Sequence, residues 1–409
     1  MLETGAANPK ARTLETSDED MGEMMQMVIA HEVGHALGLP HNMGASCAYD
    51  VENYRKPAFT KQFGISSSIM DYARFNYIAQ PGDGDVRFIR QMGPYDFYAI
   101  NWGYRMIPNA KTSESEISTL DKWIEEKAND RNYKFGNQGS AFDPSSQTED
   151  VGNDAVKAST YALSNLKIVT ENLPKWTSDK TNDYEDLSEL YTELLGAWSR
   201  YVGHVTTNIA GVYETYKKPN QGGFIYAVVP KEKQQEALKW LHQNAFSSPT
   251  WLVNNSVLKN TAYAGYTDKF RSVQVRHLNK ILSFETLGRL IDGANLSEAN
   301  YKPIQFLREV RLGLFKEAAS QQNVTVYRRN LQRAYIDRME FLMKEKMNPE
   351  GNEDYYMTSQ SDVRALVRGE LKQLISTLPC AKMTPTDIET KYHYDDCIER
   401  INLILKPIK

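Results

Sequence analysis

Apolar residues recur at three- and four-residue spacing over most of the second half of this chain, which is the signature of helices with one buried face. Leu187, Leu190, Leu194, Trp198, Tyr201, Val205 and Ile209 mark one such stripe. Tyr327, Leu331, Tyr335, Met339 and Leu342 mark a second, and Val363, Leu366, Val367, Leu371 and Leu374 a third. Pro230 is placed to open a further helix carrying Leu238 and Leu241, since proline suits a first helical turn. Nearer the start, Met21, Met24, Met25, Val28 and Ile29 form the apolar stripe of a helix predicted over Asp18–Leu37. Ser17 is its N-cap, with Asp20 at N3 as a variant of the capping box. Tyr95, Tyr98, Ala99 and Trp102 stand at helical spacing after Pro94. Alternating patterns are scarce: GVYETYKKPNQGGFIYAVV reads as a single β-hairpin around a Pro-Asn-Gln-Gly-Gly turn. Residues 42–67 read as a loop-rich connection, and no fixed-period repeat is visible. The fold class is therefore α+β and predominantly helical. Its segments are 1–17 (polar), 18–110, 111–153 (a polar connection) and 154–409 (mainly helical, with the hairpin).

Composition narrows the class without naming a function. With 409 residues, 41% hydrophobic and 24% charged, the chain is an ordinary globular protein long enough for two or three domains. A formal net charge of −4, with Lys and Arg scattered, gives no footprint for nucleic acid or an anionic membrane. No run has the length of a transmembrane helix, and MLETGAANPKARTLETSDED lacks the apolar core of a secretory signal. The acidic residues of 111–153 lack a D-x-D-x-D-G loop, so that region is read as connection and not as a calcium site. Cys380 and Cys397 have a spacing that would allow a bridge, but the expected state is unpaired. Cys47 is read as a small packed residue. His204, His242, His277 and His393 have no ligand spacing and are read as structural.

One stretch carries chemistry. HEVGHALGLPHN places His31, Glu32, His35, Gly38 and His41 at every fixed position of H-E-x-x-H-x-x-G-x-x-H, a window that holds three of the seven histidines. Residues four apart on a helix lie about 40° from each other around the axis, so His31 and His35 project from one face. Gly38 can take the positive φ that ends the helix, and the chain then returns His41 to the same point. Three imidazoles with a fourth position open to water make a catalytic zinc site, whereas structural zinc sites close all four positions. Glu32, about 100° around from His31, is placed to take a proton from the water that such a metal activates.

Ser68-Ile69-Met70-Asp71-Tyr72 follows, and here the sequence resembles the metzincin clan of zinc peptidases, in which a tight turn holds a methionine beneath the metal. The resemblance implies Met70 as the Met-turn residue and Tyr72 as a switchable ligand or oxyanion donor. HNMGAS, SIMDYARFNY and GPYDFYAINWGYR are similar to one branch, the bacterial zinc-dependent metalloproteases with a Met-zincin domain, typical of Bacteroidetes. The likeness is specific over Asp18–Arg105. It continues more diffusely through FDPSSQTEDVGNDAVKAS and from Gln221 to Leu252. Asn42 stands where astacins have Glu, serralysins Pro and matrixins Ser, which disfavours those families.

The resemblance implies that 18–110 is the C-terminal part of a metzincin catalytic domain: active-site helix, Met-turn and following helix. It implies Zn2+ as cofactor, a peptide or protein as substrate, Arg74 to Tyr77 as a wall of the primed-side pocket, and a periplasmic, cell-surface or secreted location. Metzincins place a twisted sheet upstream, whose edge pairs with the extended substrate. Seventeen polar residues cannot encode it, so the chain is expected to be the C-terminal portion of a longer enzyme. On that expectation it binds zinc, cleaves slowly by itself, and leaves one apolar face of the active-site helix bare. Two alternatives stand beside the endopeptidase: a zinc-binding fragment serving as a binding or structural module, and a zinc hydrolase of non-peptide substrates.

Overall fold

The structure is a computed structural model, which describes the chain except for residues 1, 14, 179–182, 220, 345–360, 384–385 and 407–409. Helix occupies 63% of it, and the sheet among the described residues is one antiparallel pair of short strands. The predominantly helical α+β class read from the sequence is thus the observed one. The helices are α1 (Asp18–Ala36), α2 (Pro57–Phe63), α3 (Pro94–Tyr104), α4 (Ser113–Glu125), α5 (Ala155–Ser178) and α6 (Glu185–Thr206). After β1 (Val212–Glu214) and β2 (Tyr226–Val228) come α7 (Lys231–Asn244), α8 (Asn255–Thr261), α9 (Tyr266–Ile281), α10 (Phe284–Leu296), α11 (Pro303–Leu314) and α12 (Lys316–Ser320). The last three are α13 (Val326–Lys344), α14 (Val363–Ala381) and α15 (Ile388–Leu405). The hairpin forms where the alternation predicted it, with Thr215 donating to the Ile225 carbonyl at 2.8 Å. Asn220 of its turn lies outside the described residues.

The chain forms two compact units, residues 1–204 with 212–227, and residues 205–211 with 228–409. The expected helical region 154–409 is therefore shared between them. The first unit keeps α5 because α5 grips the chain that follows the Met-turn: Asn165 donates to the Tyr77 and Ala79 carbonyls at 2.9 and 2.8 Å. The opening segment, polar in composition, also packs here. Glu3, Thr4, Ala6, Asn8 and Ala11 are buried, and Arg12 lies 5.4 Å from the Trp176 ring centroid of α5. The second unit is built on the predicted stripes, with Leu331, Tyr335, Met339 and Leu342 of α13 and Val367, Leu371 and Leu374 of α14 all buried. Two ion pairs are enclosed within it, Arg311–Glu370 at 2.6 Å and Arg328–Glu317 at 2.8 Å.

Helix α1 begins as predicted: the Ser17 side chain accepts from the Asp20 amide at 3.1 Å and donates to the Asp20 carboxylate at 2.6 Å. Its apolar stripe lies at the surface. Met25 and Ile29 are 56% and 58% exposed, and Met21 and Val28 are exposed beside them. The buried positions of the helix are His31 and Gly34. All three cysteines are free thiols. Burial pushes Cys47 up to about 11, consistent with a packed residue.

Candidate metal centre

The end of α1 turns through a Schellman motif. Gly38 has φ of 85°; its amide donates to the His35 carbonyl at 2.9 Å, and the Leu39 amide to the Gly34 carbonyl at 3.0 Å. Only a residue without Cβ takes that φ freely, and the reversal brings His41 back beside His35. One nitrogen from each of His31, His35 and His41 falls within 4.8 Å of the others, the arrangement read from the spacing.

Each imidazole is fixed through its Nδ1. His31 donates to the Ile69 carbonyl at 2.8 Å, His35 to the Leu39 carbonyl at 2.9 Å, and His41 to the Gln138 side-chain oxygen at 2.8 Å. That leaves Nε2 as the free nitrogen on all three rings. The Nε2 atoms of His35 and His41 are 3.0 Å apart, a gap that two Zn–N bonds of about 2.0–2.1 Å can span. Burial holds His31 below its ordinary value, with the nearby Arg90 charge acting the same way, so its neutral ligand form is favoured. The donor set, with each ring oriented by a second partner, fits zinc. Glu32 is exposed and next to the buried His31 in the chain. The Tyr72 ring packs against two of the imidazoles, with centroids 4.3 Å from His41 and 5.4 Å from His31.

The methionine of the turn lies under the helix. Met70 is fully buried, and a Cβ built on Gly34 would stand 2.3 Å from its sulfur. Glycine at 34 thus lets helix and turn touch. The turn itself hangs on Asp96 of α3, which accepts from the Ser68 hydroxyl at 2.5 Å and from the Ile69 and Gly93 amides, both at 2.8 Å. Asn42 is the other hub. Its amide donates to the Met70 carbonyl at 3.1 Å, its side chain donates to the Lys134 carbonyl at 2.9 Å, and its side-chain oxygen accepts from the Gly136 amide at 2.9 Å. One residue thereby joins the third histidine, the Met-turn and the segment that carries Gln138. Asp71, also buried, accepts from the Ser46 amide at 2.6 Å, and burial pushes its carboxyl up to about 6.

Gln138, Asp96 and Gly34 have places in the site that the motif reading did not give them. Gly34 had a signal: a glycine inside a helix costs about 1 kcal/mol, so a close contact was to be looked for. Gln138 had none, standing 97 residues from His41 in a polar stretch read as connection.

No curated protein and no solved structure matches the chain. The sequence model of one family does, the Met-zincin family, over residues 13–322, a stretch that includes α1, the Met-turn, α3 and Gln138. With that match covering most of the chain and the three histidines gathered as such a centre requires, the chain belongs to the Met-zincin family, zinc metalloproteases of metzincin type.

Proposed function

We propose that the chain is a zinc-dependent endopeptidase acting on peptide or protein substrates. The observation that carries this reading is the set of three imidazoles, each tied back through Nδ1, beside the exposed Glu32 and the packed Tyr72. His31, His35 and His41 would hold the metal, with Met70 beneath them. Zinc held there supplies a Lewis acid, able to bring the pKa of water toward ~7 from ~15.7. Glu32 accepts a proton from the attacking water as its oxygen bonds to the scissile carbonyl carbon. The same carboxyl returns that proton to the amine nitrogen as the C–N bond breaks. The Tyr72 hydroxyl donates to the oxyanion, and one such donor is worth about 10²–10³ in rate. We place this activity in the periplasm, at the cell surface or outside the cell, the location implied by the resemblance. No described helix is long and apolar enough to cross a membrane.

The test is metal analysis of protein purified without chelator, beside cleavage of a denatured protein. About one zinc per chain is expected, lost in His41→Ala. Glu32→Gln should keep the zinc and lose about 10²–10⁴ in turnover, the worth of general acid–base catalysis. A metal-free protein, or a Glu32→Gln variant within tenfold of wild type, would overturn the reading.

A further inference from the structure

Tyr72 forms part of the wall of a cavity of about 280 Å3, with Met27, Arg74, Phe75, Arg90 and Glu149 also facing it. That is just under the ~300–1,000 Å3 of sites that take whole small ligands, a size suited to one side chain. The charges around it are not equally engaged. Arg74 donates to Glu3 at 3.1 Å and to Glu149 at 2.5 Å, and the second oxygen of Glu149 takes Arg200 at 2.6 Å. Arg90 stands apart. Among the described residues it has no ion pair within 4.0 Å, its Nε is buried without a hydrogen bond, and its one bond is a long contact to the Ile69 carbonyl at 3.4 Å. The acid that bears on it, Asp71, is not in contact with it and spends one oxygen on Ser46 and Ser66. A guanidinium nitrogen buried without a partner, as Nε is here, is costly unless an acceptor completes it, and the planar fork of Arg90 matches a carboxylate. Its position is also set: the Ile69 carbonyl that Arg90 reaches is the one that fixes His31.

We propose that this cavity is the substrate's specificity subsite and that Arg90 in it binds the carboxylate of an Asp or Glu next to the scissile bond. The proposal rests on the endopeptidase reading above. Arg90 acts on selection of the substrate, while Glu32 carries the proton.

The experiment compares peptides identical except for Glu, Gln, Leu or Lys at each residue flanking the cleaved bond. At one of these positions wild type should prefer Glu over the isosteric Gln by about tenfold to a hundredfold in kcat/KM, the scale of a hydrogen bond to a charged group. Arg90→Met should erase that preference, lowering kcat/KM on the Glu peptide by more than on the Gln and Leu peptides. Arg90→Lys keeps the charge without the fork and should retain part of it. Equal rates on Glu and Gln peptides by wild type overturn the proposal, and this needs no variant to fold. So does an Arg90→Met variant that slows all peptides alike, which would mark Arg90 as a support for the Ile69 carbonyl. Cleavage of none of the peptides would instead bring down the endopeptidase reading, and the subsite with it.

Discussion

The metal centre and the α13–α15 bundle are both well packed, but they are held by different chemistry. Around the centre the buried side chains are polar: Asn42, Ser46, Ser66, Ser67, Ser68, Asp71 and Asp96 are all at most 5% exposed. Most spend their hydrogen bonds on loop backbone. In the bundle most buried side chains are apolar, Leu331, Tyr335, Met339, Leu371, Leu374, Tyr394 and Ile401 among them, with a few polar ones such as Gln332 and Glu370, and most backbone bonds are made inside the helices. The difference follows from the need to pair every buried backbone group. A helix pairs its own and needs only an apolar face. The turn that holds Met70 against α1 leaves amides and carbonyls without a ladder, so side chains must supply partners. Precision at the site comes from these hubs, stability of the bundle from stripes and two enclosed ion pairs.

The comparison breaks most sharply if one of those ion pairs is opened. Glu370→Gln leaves the Arg311 guanidinium buried without its partner, which costs about 3–5 kcal/mol when such a pair is cut on one side. Denaturant unfolding should show that loss, while zinc content stays at wild-type level. If zinc content falls with the unfolding midpoint, the two regions are not held independently as argued.

Acid should act on the second unit. Burial, with the Arg328 charge adding to it, holds His242 down at about 4, and burial with the Arg333 and Arg329 charges holds His393 at about 3. Both lie below the ordinary 6.5, so protons prefer the unfolded chain between those values. Stability is full above pH 6.5 and is lost as pH falls toward 4, by roughly 3 kcal/mol for such a shift. Denaturant midpoints measured from pH 7.5 to 4.5 should decline, and the slope should flatten in His393→Gln. A slope left unchanged by His393→Gln would show that its imidazole is not buried as described.

In the first unit, Gly34→Ala tests the contact between helix and turn. Alanine is the better helix former by about 1 kcal/mol, yet its methyl would meet the Met70 sulfur, and overpacking of this kind costs about 1–3 kcal/mol. Net destabilisation with weaker zinc binding is expected. A more stable variant with unchanged zinc affinity would mean that the turn moves aside freely.

Legibility follows the same division. The bundle was readable because burial repeats with the helical period, so Leu331 or Leu371 announces its face through its neighbours. The histidine cluster was readable because His31, His35 and His41 are brought together by a spacing fixed by one helix and one turn. The stripe of α1 shows the limit of the same signal: periodicity marks an apolar face but not whether anything covers it, and Met25 and Ile29 face solvent. Gln138 escaped because a side chain that bonds to another far off in sequence leaves no period and no local motif; Asp96 had a local sign, as the N3 residue that accepts from the Gly93 amide, but its bonds to Ser68 and Ile69 leave none.

The smallest expected effect concerns Gln138, and it separates orientation of a ligand from ligation. Its side-chain oxygen accepts from His41 Nδ1 at 2.8 Å, while His31 and His35 bond to backbone carbonyls that substitution cannot remove. His41 is thus the one imidazole whose tautomer and ring angle depend on a side chain. Removing such a partner costs about 10–100-fold in metal affinity. Gln138→Ala should weaken zinc binding by that factor without removing the site, and Gln138→Glu, which keeps an acceptor at the same place, should restore it. The measurement is competition against a chelator of known affinity, with unfolding followed in parallel to show that the fold is intact. If Gln138→Ala binds zinc as wild type does, His41 is held by the Asn42 hub alone, and the segment at 134–138 is packing and no part of the centre.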